Sequence, residues 1–188
     1  IARYLYRTND LLPYGSDQQV LPARIKTASR DRDGLFGITG SAFSFTESEE
    51  AQGKKYLESV ACFGQKHVCL IVRDSAYLEQ AVPNRDWSYH NYRDTNIEDY
   101  RKAVLALTDR GYIVFRMGKS VRTPFNVEHS GVIDYATSPS RSEFLDVWLM
   151  ATCKFCVSTG TGLDEIATLF RRPVVYVNYL PTIDVGVQ

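Results

Sequence analysis

The stretch from Phe155 to Asn178 limits the fold of this chain more than any other. Phe155-Cys156-Val157 is a short apolar run suited to a buried strand. Ser158-Thr159-Gly160-Thr161-Gly162 carries no bulky side chain, so its backbone can turn sharply and present N–H groups. Leu163, Ile166, Ala167 and Phe170 then recur at helical spacing, Pro173 stops the helix, and Val174-Val175-Tyr176-Val177 reads as the next strand. A strand that feeds such a turn at a helix start favours an anion, through free N–H groups and the positive end of the helix dipole. A tight strand-to-helix turn that binds nothing fits the same residues.

Before this unit, strands and helices alternate. Residues 1–45 show no periodicity and read as a linker or arm from a missing N-terminal domain; within it, the Asp-x-Asp of Asp31-Arg32-Asp33 reads as solvated loop charges. Thr46-Glu47-Ser48-Glu49 is a capping box that opens a first helix, with Leu57, Val60 and Ala61 on its apolar face and Gly64 at its end. His67 to Val72 is a first strand, apolar throughout and so expected to be covered on both faces. Residues 75–94 read as a long functional loop. A second capping box, Thr95 to Glu98, opens a helix with Ile97, Tyr100, Val104 and Leu107 inward; Gly111 ends it and Tyr112 to Phe115 is strand two. Val132 to Tyr135 is strand three, and a third capping box, Ser140 to Glu143, opens a helix with Phe144, Leu145, Trp148 and Leu149 inward. The alternation predicts an α/β fold, a parallel sheet of about five strands in the order 3-2-1-4-5 flanked by helices. The ligand crevice then falls at the carboxyl ends of strands one and four, where the winding reverses. Residues 46–188 are read as this Rossmann-like domain, cut short at its C-terminus; Ile1 in place of a Met suggests a fragment at the other end.

Composition narrows the partners. With 44% hydrophobic residues and 12 Tyr among 188 residues, the chain can build a core. Its 22 basic and 22 acidic residues cancel, which argues against nucleic acid as a partner. Cys62, Cys69, Cys153 and Cys156 read as buried, reduced and structural; Cys153 and Cys156 have half the ligands of a zinc site and no second pair, so no metal is expected.

The crevice rule selects the residues just after each strand: Arg73 and Asp74, Arg116 to Lys119, Ala136 to Ser138, and Ser158 to Gly162. Arg73, Arg116, Gly118 and Lys119 with the Ser158-Thr159-Gly160-Thr161-Gly162 turn suit a pyrophosphate. An ion pair for Arg73, and solvated charges for Arg116 and Lys119, are the plainer alternatives. Gly118-Lys119-Ser120 resembles the end of a phosphate-binding P-loop, but Ile113 stands where its first glycine belongs. Gly160-Thr161-Gly162 begins a dinucleotide fingerprint, but Glu165 stands where the third glycine belongs. Glu165, in the first helical turn, can accept both hydroxyls of a ribose, or merely offset the helix dipole. His90-Asn91-Tyr92-Arg93-Asp94 packs an imidazole, a guanidinium and a carboxylate into five residues, which makes His90, Arg93 and Asp94, with Asp74, the candidates for the reaction centre.

The run Ser158 to Glu165 followed by Arg172-Pro173-Val174-Val175 resembles the donor-binding signature of GT-B glycosyltransferases and of the related UDP-N-acetylglucosamine 2-epimerases. With Val72 to Tyr77, His90 to Asp94 and Phe115 to Gly118, it is similar to a bacterial family of GT-B-type glycosyltransferases over roughly residues 45–180. The resemblance implies two Rossmann-like domains, of which this chain is the C-terminal, donor-binding half. It implies a diphosphate on the Ser158–Gly162 turn, a ribose on Glu165 and a basic contact from Arg73, although Thr161 stands where a glycine is common. It implies metal-independent transfer of a sugar from a nucleotide-diphosphate donor, with no further cofactor, to a surface glycan or lipid-linked acceptor. Much of the acceptor site would lie in the missing N-terminal domain, so that the fragment alone can be inactive. A nucleotide-sugar 2-epimerase and a non-catalytic nucleotide-binding module are the alternative readings. The location expected is the cytoplasm, with any peripheral attachment at the inner face of the membrane residing in the missing portion.

Overall fold

Among the described residues, five strands pair in parallel around a central one whose residues are all buried. The central strand β1 (His67–Ile71) lies between β2 (Ile113–Met117) and β4 (Cys156–Ser158); β3 (Val132–Ile133) flanks β2 and β5 (Val174–Tyr176) flanks β4. The order is therefore β3-β2-β1-β4-β5, as the alternation predicts, and the α/β architecture is Rossmann-like. The computed structural model describes residues 11, 13 and 35–179. The chain divides into two units, Thr39–Leu180, which holds the sheet, and Ile1–Ile38 with Pro181–Gln188. In the latter, Leu35–Ile38 is a short helix, and the Asp31-Arg32-Asp33 run lies outside the described residues.

The helices follow from burial on both faces of the sheet. They are α1 (Glu47–Ser59), α2 (Ala76–Ala81), α3 (Arg101–Thr108), α4 (Glu143–Thr152) and α5 (Asp164–Leu169). Side chains alternate along a strand. Cys69, Ile71, Ile113, Phe115 and Met117 thus share one core with Tyr56 and Leu57 of α1, Leu145, Trp148 and Leu149 of α4, and Ala167 of α5. Leu70, Val72 and Val114 point the other way, into a core with Ile97, Tyr100 and Val104. Leu149, wholly buried, contributes about 1.5–3 kcal/mol by leaving water. Gly53 lets α1 approach α4: a Cβ there would fall 2.1 Å from Cε2 of the Trp148 indole.

Helix starts and ends depart from expectation where a nearer partner wins. Thr46 caps α1 as its capping box predicts, with the Glu49 carboxylate accepting the Thr46 N–H at 2.7 Å. The helix stops at Ser59, short of Gly64, because Ala61 turns left-handed at φ 56° and Cys62 N–H donates to Leu57 O at 2.7 Å. Asn96 replaces Thr95 as the second cap, accepting from Glu98 N–H at 3.1 Å; Glu98 is drawn to Arg101, and Ile97–Tyr100 forms a 3₁₀ turn ahead of α3. Ser142 replaces Ser140 as the third, accepting from Leu145 N–H at 3.1 Å. The expected loop over 75–94 folds into α2 and a 3₁₀ helix, Ser88–Arg93. Strand three ends at Ile133, two residues early, because Asp134 turns to Arg116 and Tyr135–Thr137 forms a 3₁₀ turn.

All four cysteines are buried and free. Among the described residues no cluster of His, Cys, Asp and Glu could hold a metal ion, and no helix is long and apolar enough to cross a membrane.

Gly53→Ala should lower stability by about 1–3 kcal/mol, the usual cost of overpacking, despite the better helix propensity of alanine. Urea unfolding measures it, and an unchanged midpoint would mean that Trp148 yields without cost.

Candidate functional site

Two cavities open at the carboxyl edge of the sheet, one on each face. Val72 and Asp74, just beyond β1, line both. The first is a cleft of about 460 Å³ at the ends of β1, β2 and β4, the crevice that the strand order predicts. Ile71, Met117, Leu163 and Ile166 make its apolar walls. Arg73, Gly118, Lys119, Thr161 and Gly162 supply its polar ones, and Tyr77, 47% exposed, stands at its side. The second is a polar cavity of about 500 Å³ on the α3 face, which includes Asp94 and Arg116.

The Ser158–Gly162 turn is built, but its donors are largely consumed from within. Asp164 is 1% exposed and its Oδ2 accepts from Ser158 Oγ–H at 2.5 Å and Thr161 N–H at 3.1 Å. Ser158 Oγ in turn accepts from Gly160 N–H at 3.0 Å, and Thr159 N–H donates to Ile71 O at 3.2 Å. A side-chain carboxylate thus takes the place that an external anion would take at this turn. Burial pushes the Asp164 carboxyl above its ordinary range, against the pull of these hydrogen bonds. Of the five turn residues, Thr161 and Gly162 face the cleft, while Ser158, Thr159 and Gly160 lie beneath. Gly160 is left-handed at φ 82°, and a Cβ on it would fall 2.5 Å from the Tyr179 ring.

The other expected residues separate by role. Arg73 N–H donates to Thr159 Oγ1 at 2.9 Å, and its Nε pairs with Asp94 Oδ1 at 3.2 Å. Asp74 starts α2: Oδ1 accepts from Ala76 N–H at 3.0 Å and Oδ2 from Arg122 N–H at 2.9 Å. Arg93 Nη2 donates to Gly160 O at 2.7 Å, bracing the turn. Lys119 pairs with Glu143 at 3.0 Å, both more than half exposed, so the pair is weak. Arg116, in contrast, is 1% exposed, holds Asp134 at 3.1 Å and donates to Thr123 O at 3.3 Å, in the polar cavity and not in the cleft. Glu165 is exposed and lines neither cavity. The side chain of His90 lies outside the described residues.

Sequence reasoning missed Asp146. It lies on α4, is 8% exposed and lines the cleft. Its Oδ2 accepts from Arg141 Nη2 at 2.6 Å, and Arg141 Nε also donates to Gly118 O at 3.1 Å, which ties α4 to the glycine after β2. Tyr135, beside the carboxylate, donates its hydroxyl to Ser142 O at 3.1 Å, and Asp146 Oδ1 is buried with no hydrogen-bond partner among the described residues. Such a group is rare and marks a place where a ligand donor can be met. The signal was present: Asp146 is the one charge amid the apolar run from Phe144 to Ala151.

Burial, opposed by Arg141, raises the Asp146 carboxyl above the ordinary value of 3.8. A carboxyl raised on folding contributes most below its unfolded pKa, and that contribution is lost as pH rises through the folded value. Asp146→Asn should therefore cost more stability at about pH 4 than at about pH 7, read as the difference between variant and wild type in urea unfolding. A penalty that instead grows with pH would mean that the Arg141 pair outweighs burial.

Comparison of the chain with family models, with curated proteins and with solved structures finds no match.

Proposed function

We propose that this chain is the donor-binding half of a glycosyltransferase, taking a nucleotide-diphosphate sugar into the cleft and passing the sugar to a surface glycan or a lipid-linked acceptor. The observation that carries the reading is the cleft itself. It lies where the winding of a Rossmann-like sheet reverses, with apolar walls for a flat base and cations at one side. Asp94 holds Arg73 at Nε, and its two Nη groups, which meet no partner among the described residues, can take phosphate oxygens. Lys119 can leave its exposed partner at little cost. Together they offset the charge that develops on a departing diphosphate. Asp146 Oδ1 meets a ligand N–H or O–H at the buried end.

In this reading the chain binds and orients the donor and does not supply the base. Asp74 accepts the Ala76 N–H at the start of α2, Asp94 orients Arg73 and Arg93 braces the turn. The same engagements, with Asp164 filling the turn, favour a second reading: a nucleotide-binding module without transfer.

A thermal-shift titration with UDP, GDP, CMP, ADP and NAD tests the site. A nucleotide at about 100 times its dissociation constant adds roughly 2.7 kcal/mol of stability. UDP or GDP should stabilise selectively, and Lys119→Ala should weaken that response without moving the unliganded melting temperature. No shift with any of the five in the folded chain would remove the cleft as a donor site. Binding without sugar transfer when the N-terminal half is supplied would favour the second reading.

A further inference from the structure

The polar cavity on the α3 face differs in chemistry from the cleft. Among the described residues its four charged side chains balance, Asp74 and Asp94 against Arg116 and Arg122. Each is already engaged: Arg116 by Asp134, Asp94 by Arg73, Asp74 by the Arg122 N–H, and the Arg122 guanidinium by Glu79 and Ser75. An anion entering here meets two carboxylates, and a cation meets two guanidinium groups, so neither gains net attraction. What remains is short-range hydrogen bonding. Arg116 Nε, in a side chain 1% exposed, has no partner among the described residues. Only Oδ1 of Asp94 is taken by Arg73, and the exposed Asn91 adds an amide with both a donor and an acceptor. Ile97 and Val72 give the same cavity an apolar patch.

Interleaved donors and acceptors beside a small apolar surface, without net charge, match a ring that carries hydroxyls around its rim and C–H bonds on its faces. The volume, about 500 Å³, is that of a small-molecule site. We infer that this cavity is a binding site for a neutral saccharide. Because Val72 and Asp74 separate it from the cleft, a sugar bound here lies next to whatever the cleft holds, as two reacting partners must. The inference rests on the cavity's own walls and requires no nucleotide in the cleft.

The test is an amide-resolved NMR titration of the 188-residue chain, without nucleotide, against glucose, galactose, N-acetylglucosamine and maltose, and separately against inorganic phosphate. At least one sugar should shift the signals of residues 72–75, 91–97 and 116 saturably, while phosphate leaves them in place. Asn91→Ala, which removes an exposed side chain and leaves the backbone hydrogen bond from Asp94 N–H to Asn91 O intact, should weaken that sugar about three- to tenfold, as loss of one hydrogen bond does. Thr95→Val, which keeps the shape of its wall, should act in the same direction. The inference is overturned if no sugar moves those signals, if both variants bind the sugar as wild type does, or if phosphate saturates the same signals instead. Added UDP reports through residues 117–121 and 161–166 of the cleft, so failure of one site is distinguishable from failure of the other.

Discussion

The structure depends on the complete burial of β1. All five of its residues are buried, and the strand pairs with β2 on one side and β4 on the other. With no edge and no solvent face, β1 requires a layer of helices above and another below. The sheet lies between two cores, Cys69 and Ile71 belonging to one and Leu70 and Val72 to the other. Everything at the carboxyl edge inherits that division. The chain leaving β1 must emerge between two layers, and Arg73 and Asp74 stand where it does.

That exit explains why two cavities of similar size differ so much in character. On one side the cleft is floored by the aliphatic ends of β1, β2 and α5. On the other, Arg116 takes a strand position opposite Leu70 that would ordinarily be apolar, and it brings Asp134 with it. A buried guanidinium costs several kcal/mol unless its charge is paired and its N–H groups are met. Asp134 and Thr123 meet two of the guanidinium nitrogens and draw the 123–134 segment over the end of β2. Arg116 and Thr123 form part of the wall of the polar cavity.

The sheet was legible in the sequence because burial writes itself as apolar runs, and the strand order followed from the alternation of strands with helices. Helix starts were less legible, since each sequence offered two competing caps: Thr95 and Asn96, or Ser140 and Ser142. Which one wins depends on where a carboxylate such as Glu98 finds its partner, and that is a tertiary matter. The turn after β4 was correctly placed as a turn, but its N–H groups were expected to be free, whereas Asp164 takes that of Thr161. Asp164 also reaches Ser158, six residues back, a contact that spacing alone does not announce. Asp146 was hidden for the opposite reason: it reads as part of an apolar helix, and only packing shows that one of its oxygens is unmatched. Arg116 was recognised as a residue after a strand, whereas it is inside one, and its side chain lines the polar cavity and not the cleft.

The four cysteines have a consequence of another kind. None is within reach of solvent, and burial pushes the thiols of Cys62, Cys69 and Cys156 up, away from the reactive thiolate. Cys69 and Cys156 sit side by side on neighbouring strands, so exposing them requires parting β1 from β4. A thiol reagent can label them only after that separation. The core thus carries its own clock: the pace of labelling reports how often the sheet opens at its centre, and the domain itself draws no stability from a crosslink that a reducing compartment could remove.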